Sequence, residues 1–260
     1  MRALRSLLAG AAMCGLACVT PLGVTPARAA ENVVHPPQQR WDSAGVFGTV
    51  DLASAKRGFQ VYQEVCAMCH GMKQMSYRHL TGLGLTEEDV KAIAATVTVP
   101  LGTNDAGEPV EGPALPSSYF REPYANDKVA RMANNGSLPP DLSVMVLARE
   151  AGADYVYALL VGYADPPVGI QMGTGMYYNK YFPGHQIAMP QPLMDDRVEY
   201  SDGTKATVEQ MARDVTEFMI WSASPEMTER KQIGVWVILF LVFMTGITYA
   251  LKRKVWADVH

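Results

Sequence analysis

The apolar residues of the chain are concentrated in two segments, one near each end. The first runs from Leu7 to about Val19, follows two arginines and is followed by Ala27-Arg28-Ala29. This is the pattern of a secretory signal with an A-x-A cleavage site, and the run is shorter than the about 20 residues that cross a bilayer. A lipoprotein signal ending at Cys18 is an alternative, but the expected leucine three positions earlier is absent. We therefore expect residues 1–29 to be removed.

The second apolar segment, Ile233–Leu251, contains 19 residues without a charge and is followed by Lys252-Arg253-Lys254. It predicts one transmembrane helix, because a buried core helix of this length would need apolar partners that the rest of the chain lacks. We assign the anchor to residues 229–251 and a cytoplasmic tail to residues 252–260. The exported domain, residues 30–228, then lies on the periplasmic side of a bacterial inner membrane.

Three helices are predicted between the two segments. Apolar residues at i, i+4, i+7 and i+11 predict a helix that continues into Cys66. Thr86 with Asp89, and Thr207 with Gln210, are helix-start signals. The apolar positions are Ala55, Phe59 and Tyr62 in the first helix, Val90, Ile93, Ala94 and Val97 in the second, and Val208, Met211, Ala212, Val215, Phe218, Met219 and Ser222 in the third.

Two further stretches carry turn residues. Asn104–Glu122 is rich in proline and glycine and is predicted to be an irregular loop. Val198–Lys205 has Asp202-Gly203 between short alternating runs, which favours a small hairpin.

Charge is unevenly distributed along the chain. The whole chain has a formal net charge of −4, but residues 31–229 hold 14 Lys and Arg against 25 Asp and Glu, a balance of −11. An acidic exported domain argues against nucleic-acid binding and favours electrostatic steering of a basic partner. Solubility alone is the other explanation for this charge.

Only two cysteines remain after removal of the signal, and they lie in Cys66-Ala67-Met68-Cys69-His70. The C-x-x-C-H spacing is typical of haem c attachment, because two thiols one turn apart can add to the two haem vinyl groups while the adjacent histidine binds the iron. A thioredoxin-like dithiol does not require His70, and a zinc ribbon would need a second cysteine pair. The sequence therefore predicts one covalent haem c.

The second axial ligand decides whether such a site carries electrons or performs chemistry at an open iron position. Met189 is a candidate because Pro183 and Pro190 restrict the backbone on either side of it. Most methionines are core fillers, so the residues alone leave several alternatives open. These are Met172, Met176, Met194, His79 and His185.

Four stretches resemble cytochrome c1, the haem c subunit of the cytochrome bc1 complex. They are Gly58–Val65, Ala130–Ser143, Asp154–Pro167 and Tyr178–Pro192. With the C-terminal anchor, the resemblance covers nearly all of the mature chain in order. A lone C-x-x-C-H would not distinguish one class of cytochrome from another. The run from Arg131 to Ser143, together with the anchor, is far more specific.

The resemblance implies a role for eight residues. Arg131 would contact a haem propionate, to which a guanidinium can donate two charge-assisted hydrogen bonds. Some bacterial members carry an additional crosslinking cysteine pair that this chain lacks, so packing and prolines must hold the Met189 segment. The implied haem-binding set is Cys66 and Cys69 as thioether partners, His70 and Met189 as axial ligands, and Arg131, Asn134, Pro139 and Pro140 around the haem.

The fold implied is a mainly α, class I cytochrome c domain on one C-terminal transmembrane helix. Its inserted loops are long, because His70 and Met189 are 119 positions apart. By resemblance, the chain is a redox subunit rather than an enzyme on its own. It would work with cytochrome b and pass electrons from the Rieske iron-sulfur protein to a soluble c-type cytochrome. A membrane-bound peroxidase and an anchored cytochrome that serves an oxidase directly are the alternatives.

Overall fold

The computed structural model describes residues 34–258, so the predicted signal peptide at residues 1–29 and the last two residues of the predicted tail lie outside the described residues. The described part is mainly helical, with two small antiparallel sheets. The helices are α1 Leu52–Glu64, α2 Glu87–Ala95, α3 Asp127–Ala133, α4 Gly152–Val161, α5 Val208–Ala223 and α6 Met227–Val255. The strands are β1 Thr98–Thr103, β2 Pro109–Pro113, β3 Tyr177–Tyr178 and β4 Gln186–Ile187.

Helix α1 begins where Asp51 accepts hydrogen bonds from the backbone N–H groups of Ala53 and Ser54. The predicted apolar face is buried, including Phe59 and Tyr62. The helix ends at Glu64, however, and Cys66 lies in a separate 3₁₀ turn, Cys66–Met68. The prediction that one helix runs through Cys66 is therefore wrong at its last turn, where the chain tightens.

Helix α5 packs directly on α1, and this pair forms the frame of the domain. The Phe218 ring lies 5.5 Å from Phe59 and 5.7 Å from Tyr62 between ring centroids. Close approach depends on Gly58, because a Cβ added there would lie 1.9 Å from the Asp214 carbonyl oxygen. Arg57 also pairs with the fully buried Asp214 carboxylate, with Nη2 and Oδ1 3.0 Å apart.

The predicted caps of the other two helices are confirmed. Thr86 and Asp89 form a reciprocal capping box at the start of α2. The Thr207 hydroxyl accepts a hydrogen bond from the Gln210 N–H at 3.2 Å, and α5 begins at Val208, the residue after Thr207. The buried positions of α5 include the predicted apolar ones from Met211 to Ser222. Local side-chain to backbone bonds of this kind can be predicted from sequence spacing alone.

Two predictions for the loops are wrong. Part of Asn104–Glu122 is regular, because β2 pairs with β1 from Thr98↔Pro113 to Thr103↔Pro109. Prolines are tolerated there because each strand of a two-stranded sheet has a free edge. Val198–Lys205 contains the predicted turn but no strand. Its backbone instead contacts α1, where Gln60 Nε2 donates to the Glu199 carbonyl at 2.9 Å.

Helix α6 is long and apolar enough to cross a membrane. It has 29 residues, and its most apolar window has a mean hydropathy of 2.1 with none of its residues buried. Such exposure argues against the alternative of a core helix, and it fits a membrane anchor. The helix extends beyond the predicted limits of 229–251 in both directions, from Met227 to Val255, so the basic residues Lys252–Lys254 are also helical.

Replacement of Gly58 by alanine tests the contact between α1 and α5. Alanine favours an isolated helix over glycine by about 1 kcal/mol. The added methyl group would overlap the α5 backbone, so we expect Gly58→Ala to lower the free energy of unfolding by about 1–3 kcal/mol. Urea denaturation of the detergent-purified protein, followed by tryptophan fluorescence, measures it. The exposed Lys56→Ala should change stability by no more than about 0.5 kcal/mol, and an unchanged or stabilised Gly58→Ala would contradict the packing described.

Candidate haem site

The C-x-x-C-H residues are brought together by one tight turn. The backbone N–H groups of Cys69 and His70 both donate to the Cys66 carbonyl, at 3.1 and 2.9 Å. Cys66 and Cys69 are both free and partly exposed. Two thiols and an imidazole therefore lie within one turn, with the thiols unpaired with each other.

The His70 ring is fixed by a bond to a distant part of the chain. Its Nδ1 lies 2.8 Å from the Pro140 carbonyl oxygen, which accepts the ring N–H. Burial lowers the pKa of His70 below its usual value, while the Pro140 bond and Asp141 act in the opposite direction. A neutral imidazole with its proton on Nδ1 has the Nε2 lone pair available for a metal.

The segment that follows Pro140 is bonded to the segment that follows His70. Leu142 N–H donates to the Gly71 carbonyl at 2.9 Å. Lys73 N–H donates to Asp141 Oδ2 at 2.7 Å, and Gln74 N–H donates to the Ser143 hydroxyl at 3.1 Å. This ladder holds Pro140 in place, so this proline, predicted from the sequence to lie around the haem, orients the histidine through its carbonyl group.

The segment of Met189 is attached to the end of α4. The Tyr163 hydroxyl donates to the Met189 carbonyl at 3.0 Å. Strands β3 and β4 pair Tyr177↔Ile187 and Tyr178↔Gln186 just before it. The Met189 backbone is therefore held by an adjacent strand pair and by a tyrosine that follows α4, in addition to the two prolines noted in the sequence.

Asn179 is the polar centre of this segment and is fully buried. Its Nδ2 donates to the Leu159 carbonyl at 2.7 Å. Its Oδ1 accepts from the N–H groups of Tyr181 and Phe182 at 3.0 and 3.3 Å. The side chain thus joins α4 to the turn that leads to Met189. Sequence reasoning missed this residue, because an asparagine beside a Tyr-Phe-Pro-Gly turn signals only a loop.

The alternative axial candidates occupy different places. Met194 is 56% exposed on the surface. His79 accepts the Ser76 N–H at the start of a 3₁₀ turn, and His185 Nδ1 lies 3.2 Å from the Asn179 carbonyl. Met172 and Met176 line a cavity of about 430 Å³ together with Tyr163, Tyr178 and Gln191. The cavity lies beside the Met189 segment, so these two methionines are the alternatives to Met189 that lie nearest to it as an axial ligand.

Arg131 and Asn134 take part in the turn that ends α3. Arg131 is exposed and its Nη1 donates to the Gly136 carbonyl at 3.1 Å. Asn134 Nδ2 donates to the Ala130 carbonyl at 2.8 Å and to the Tyr124 hydroxyl at 3.0 Å. The same turn meets the Met176 region, because a Cβ added at Gly175 would lie 2.8 Å from Asn135 Nδ2. The contact of Arg131 with a propionate stays a prediction.

The donor set fits haem c better than either alternative. Desolvation, followed by repulsion from Cys69, raises the pKa of the Cys66 thiol to about 12. A redox-active dithiol needs a lowered thiol pKa instead. Among residues 34–258, no three or more His, Cys, Asp and Glu side chains are grouped as a metal-ion site would require. Two adjacent free thiols and one oriented histidine are the groups that attach and ligate a haem.

Comparison with known proteins supports this chemistry. Residues 41–259 match the model of the Cytochrome C1 family. Cytochrome c1 of Rhodospirillum rubrum is 43% identical over 90% of this chain and 92% of its own length. "Cytochrome c1 1, heme protein, mitochondrial" of Arabidopsis thaliana is 46% identical over 95% of this chain and 80% of its own length. "Cytochrome b/c1" of Bradyrhizobium diazoefficiens is 43% identical over 90% of this chain and 37% of its own length.

Truncation of Asn179 should loosen the turn before Met189. Asn179→Ala leaves the Leu159 carbonyl and the Tyr181 and Phe182 N–H groups without their partner, and each such buried group costs about 1–3 kcal/mol. We expect the Tyr181 and Phe182 amides to exchange hydrogen about tenfold faster or more. Hydrogen exchange with mass spectrometry of the peptide 177–189 measures this. The exposed Lys180→Ala is the matched control, and equal protection in both variants would show that Asn179 does not hold the turn.

Proposed function

The chain belongs to the cytochrome c1 family, and we propose that it passes electrons from a Rieske iron-sulfur protein to a soluble c-type cytochrome. Members of this family are the haem-carrying redox subunit of the cytochrome bc1 complex, not stand-alone enzymes. The cofactor is haem c. The long apolar helix α6 fits a membrane anchor, and the name of the Bradyrhizobium relative supports a complex with cytochrome b. The two redox partners belong to the proposal.

The proposed haem-binding set is anchored by one observation, the 2.8 Å contact between His70 Nδ1 and the Pro140 carbonyl. Cys66 and Cys69 would provide the thioether bonds. His70 would present Nε2 to the iron, held in one tautomer by Pro140. Haem c, when bound, supplies a one-electron ferric/ferrous couple. Arg131 and Asn134 at the end of α3, and Pro139 next to Pro140, complete the proposed set.

Met189 is the proposed second axial ligand. Its backbone is fixed by Tyr163, and the preceding turn is fixed by Asn179. A thioether sulfur is a soft donor that stabilises the ferrous state and raises the reduction potential. A sulfur held there would also fill the position that a peroxidase leaves open. The arrangement therefore suits an electron carrier late in a respiratory or photosynthetic chain, and not catalysis at the iron.

The proposed topology is that of a single-pass protein of the bacterial inner membrane. The signal at residues 1–29 would export the domain at residues 30–228 to the periplasm. The anchor at residues 229–251 would end at the basic cluster of the cytoplasmic tail, residues 252–260, in agreement with the excess of positive charge on cytoplasmic segments. In this orientation, the acidic haem domain faces the soluble partner.

Replacement of Met189 by leucine tests the axial ligand. The side chain stays apolar and of similar volume, so packing should change by less than about 1.5 kcal/mol and the haem should still attach. Without the iron–sulfur bond, the far-red ferric charge-transfer band that marks methionine ligation should vanish. Loss of the soft thioether also favours the ferric state, so the potential should fall. Each drop of about 59 mV is a tenfold change in the equilibrium constant of a one-electron couple. Spectra and redox titration of the purified complex measure both.

The control for this experiment is Met194→Leu, which changes an exposed methionine five residues away. It should leave the band and the potential nearly unchanged. A native band in Met189→Leu, together with its loss in Met172→Leu or Met176→Leu, would move the axial ligand to the neighbouring cavity while the haem assignment stands.

The salt dependence of electron transfer tests whether the acidic exported domain steers a basic soluble cytochrome. Electron transfer to a basic cytochrome should slow as ionic strength rises, because exposed charges are screened beyond about 8 Å at physiological salt. Stopped-flow measurement over a range of salt concentrations shows how the bimolecular rate constant changes with ionic strength. Oxidation by a small uncharged acceptor is the control and should depend little on salt. A flat rate with the basic cytochrome would assign the acidic charge to solubility.

A further inference from the structure

An exposed apolar loop lies beside the start of the membrane helix. Residues 43–50, here called the interface loop, read Ser-Ala-Gly-Val-Phe-Gly-Thr-Val and contain no charge between Asp42 and Asp51. Val46 is 65% exposed and Phe47 is 84% exposed. Two adjacent, exposed apolar side chains on an uncharged loop indicate a contact surface, because exposing them to water is unfavourable.

The loop has a defined shape that presents these two side chains. Ala44 N–H donates to the Trp41 carbonyl at 3.0 Å, and Thr49 N–H donates to the Asp42 carbonyl at 3.0 Å. Gly45 takes a φ of +73°, which a residue with a Cβ adopts only with strain. The backbone is therefore closed on itself, and Val46 and Phe47 stand at its tip.

Lys231 fastens this loop to α6. Its Nζ donates to the Ser43 carbonyl at 2.6 Å and to the Gly48 carbonyl at 3.1 Å, so it joins both ends of the loop. Lys231 precedes Ile233, the first residue of the uncharged span, by two positions. The loop is thus held at the start of α6, next to the uncharged span that would cross the membrane.

The length of the apolar span of α6 indicates where the interface loop would lie relative to the lipid headgroups. Nineteen residues from Ile233 to Leu251, at about 1.5 Å each, cover about 29 Å, close to the about 30 Å of the hydrocarbon core. The headgroup regions add about 5–7 Å on each side. Lys231 lies within one helical turn of the hydrocarbon boundary, so its ammonium group and the two carbonyls that it contacts fall in the headgroup region.

We propose that the interface loop docks on the lipid surface and inserts Phe47 and Val46 at the boundary between headgroups and acyl chains. Together with α6, this second contact sets the height and tilt of the haem domain above the membrane. Apolar and aromatic side chains at this depth are typical of interfacial anchoring. Two apolar side chains are too small a surface for a specific protein interface, which needs about 800 Å² per partner. The proposal rests on α6 as the membrane anchor, but not on Met189 or the redox partners.

A spin label at position 47 measures the environment of the loop. Phe47→Cys is labelled in the purified complex in phosphatidylcholine nanodiscs, and its collision rates with oxygen and with a water-soluble nickel chelate are compared. Phe47 is exposed, so the substitution should not disturb folding. We expect collisions with oxygen to exceed those with nickel severalfold. Leu101→Cys on β1, 55% exposed, is the matched control and should show the reverse.

Two results would overturn the proposal. A label at 47 as accessible to nickel as the label at 101 would place the loop in water, and a label shielded from both reagents would show that another subunit covers it. Trp236→Cys, within the span of α6, provides the lipid reference. Preference for oxygen at 236 without preference at 47 would reject the loop contact alone, whereas loss of the preference at 236 would reject the anchor on which the proposed topology depends.

Discussion

The hydrogen bond from His70 to the Pro140 carbonyl is the contact on which the rest of the site depends. It joins positions 70 residues apart, and closing a loop of that length costs conformational entropy that grows with the logarithm of its length. The bonds from Leu142 to Gly71 and from Lys73 to Asp141 offset that cost. In return, the imidazole of His70, the proposed iron ligand, is fixed in position and tautomer by the protein itself. Electron transfer benefits from such a fixed ligand because less of the site must rearrange with each change of oxidation state.

The two sides of the site are built in different ways. On the histidine side, a turn after α1 and the ladder to the segment after Pro140 give rigidity through hydrogen bonds that backbone N–H groups donate to carbonyl and side-chain oxygens. On the Met189 side there is little regular structure, and one buried side chain, Asn179, satisfies three backbone groups. The histidine side follows α1 directly, and the Met189 side is attached to α4; both α1 and α4 pack on α5. Gly58 permits the close approach of α1 and α5, and the buried Asp214 carboxylate requires Arg57 as its partner.

Local signals in the sequence predicted much of this structure, and long-range contacts account for most of what they missed. The Thr86 and Thr207 caps and the apolar face of α1 depend on residues within one or two turns, so their spacing was sufficient. The strand pair β1–β2 was hidden by its prolines, and the turn at Asp202-Gly203 was predicted without its true partner, α1. The roles of the Pro140 carbonyl and of Asn179 depend on residues far away in the sequence. Every residue has a backbone carbonyl group, so the residue type does not indicate which one binds the histidine.

The proposed axial ligands, His70 and Met189, would bind one iron atom from opposite sides. The most direct test is a crystal structure of the haem-loaded protein, with the iron located by its anomalous scattering. We expect one iron peak between His70 Nε2 and Met189 Sδ, with His70 Nδ1 still bonded to the Pro140 carbonyl and both cysteines joined to the porphyrin. An iron bound opposite His70 by Met172, Met176 or a histidine, or a His70 ring turned away from Pro140, would contradict this arrangement.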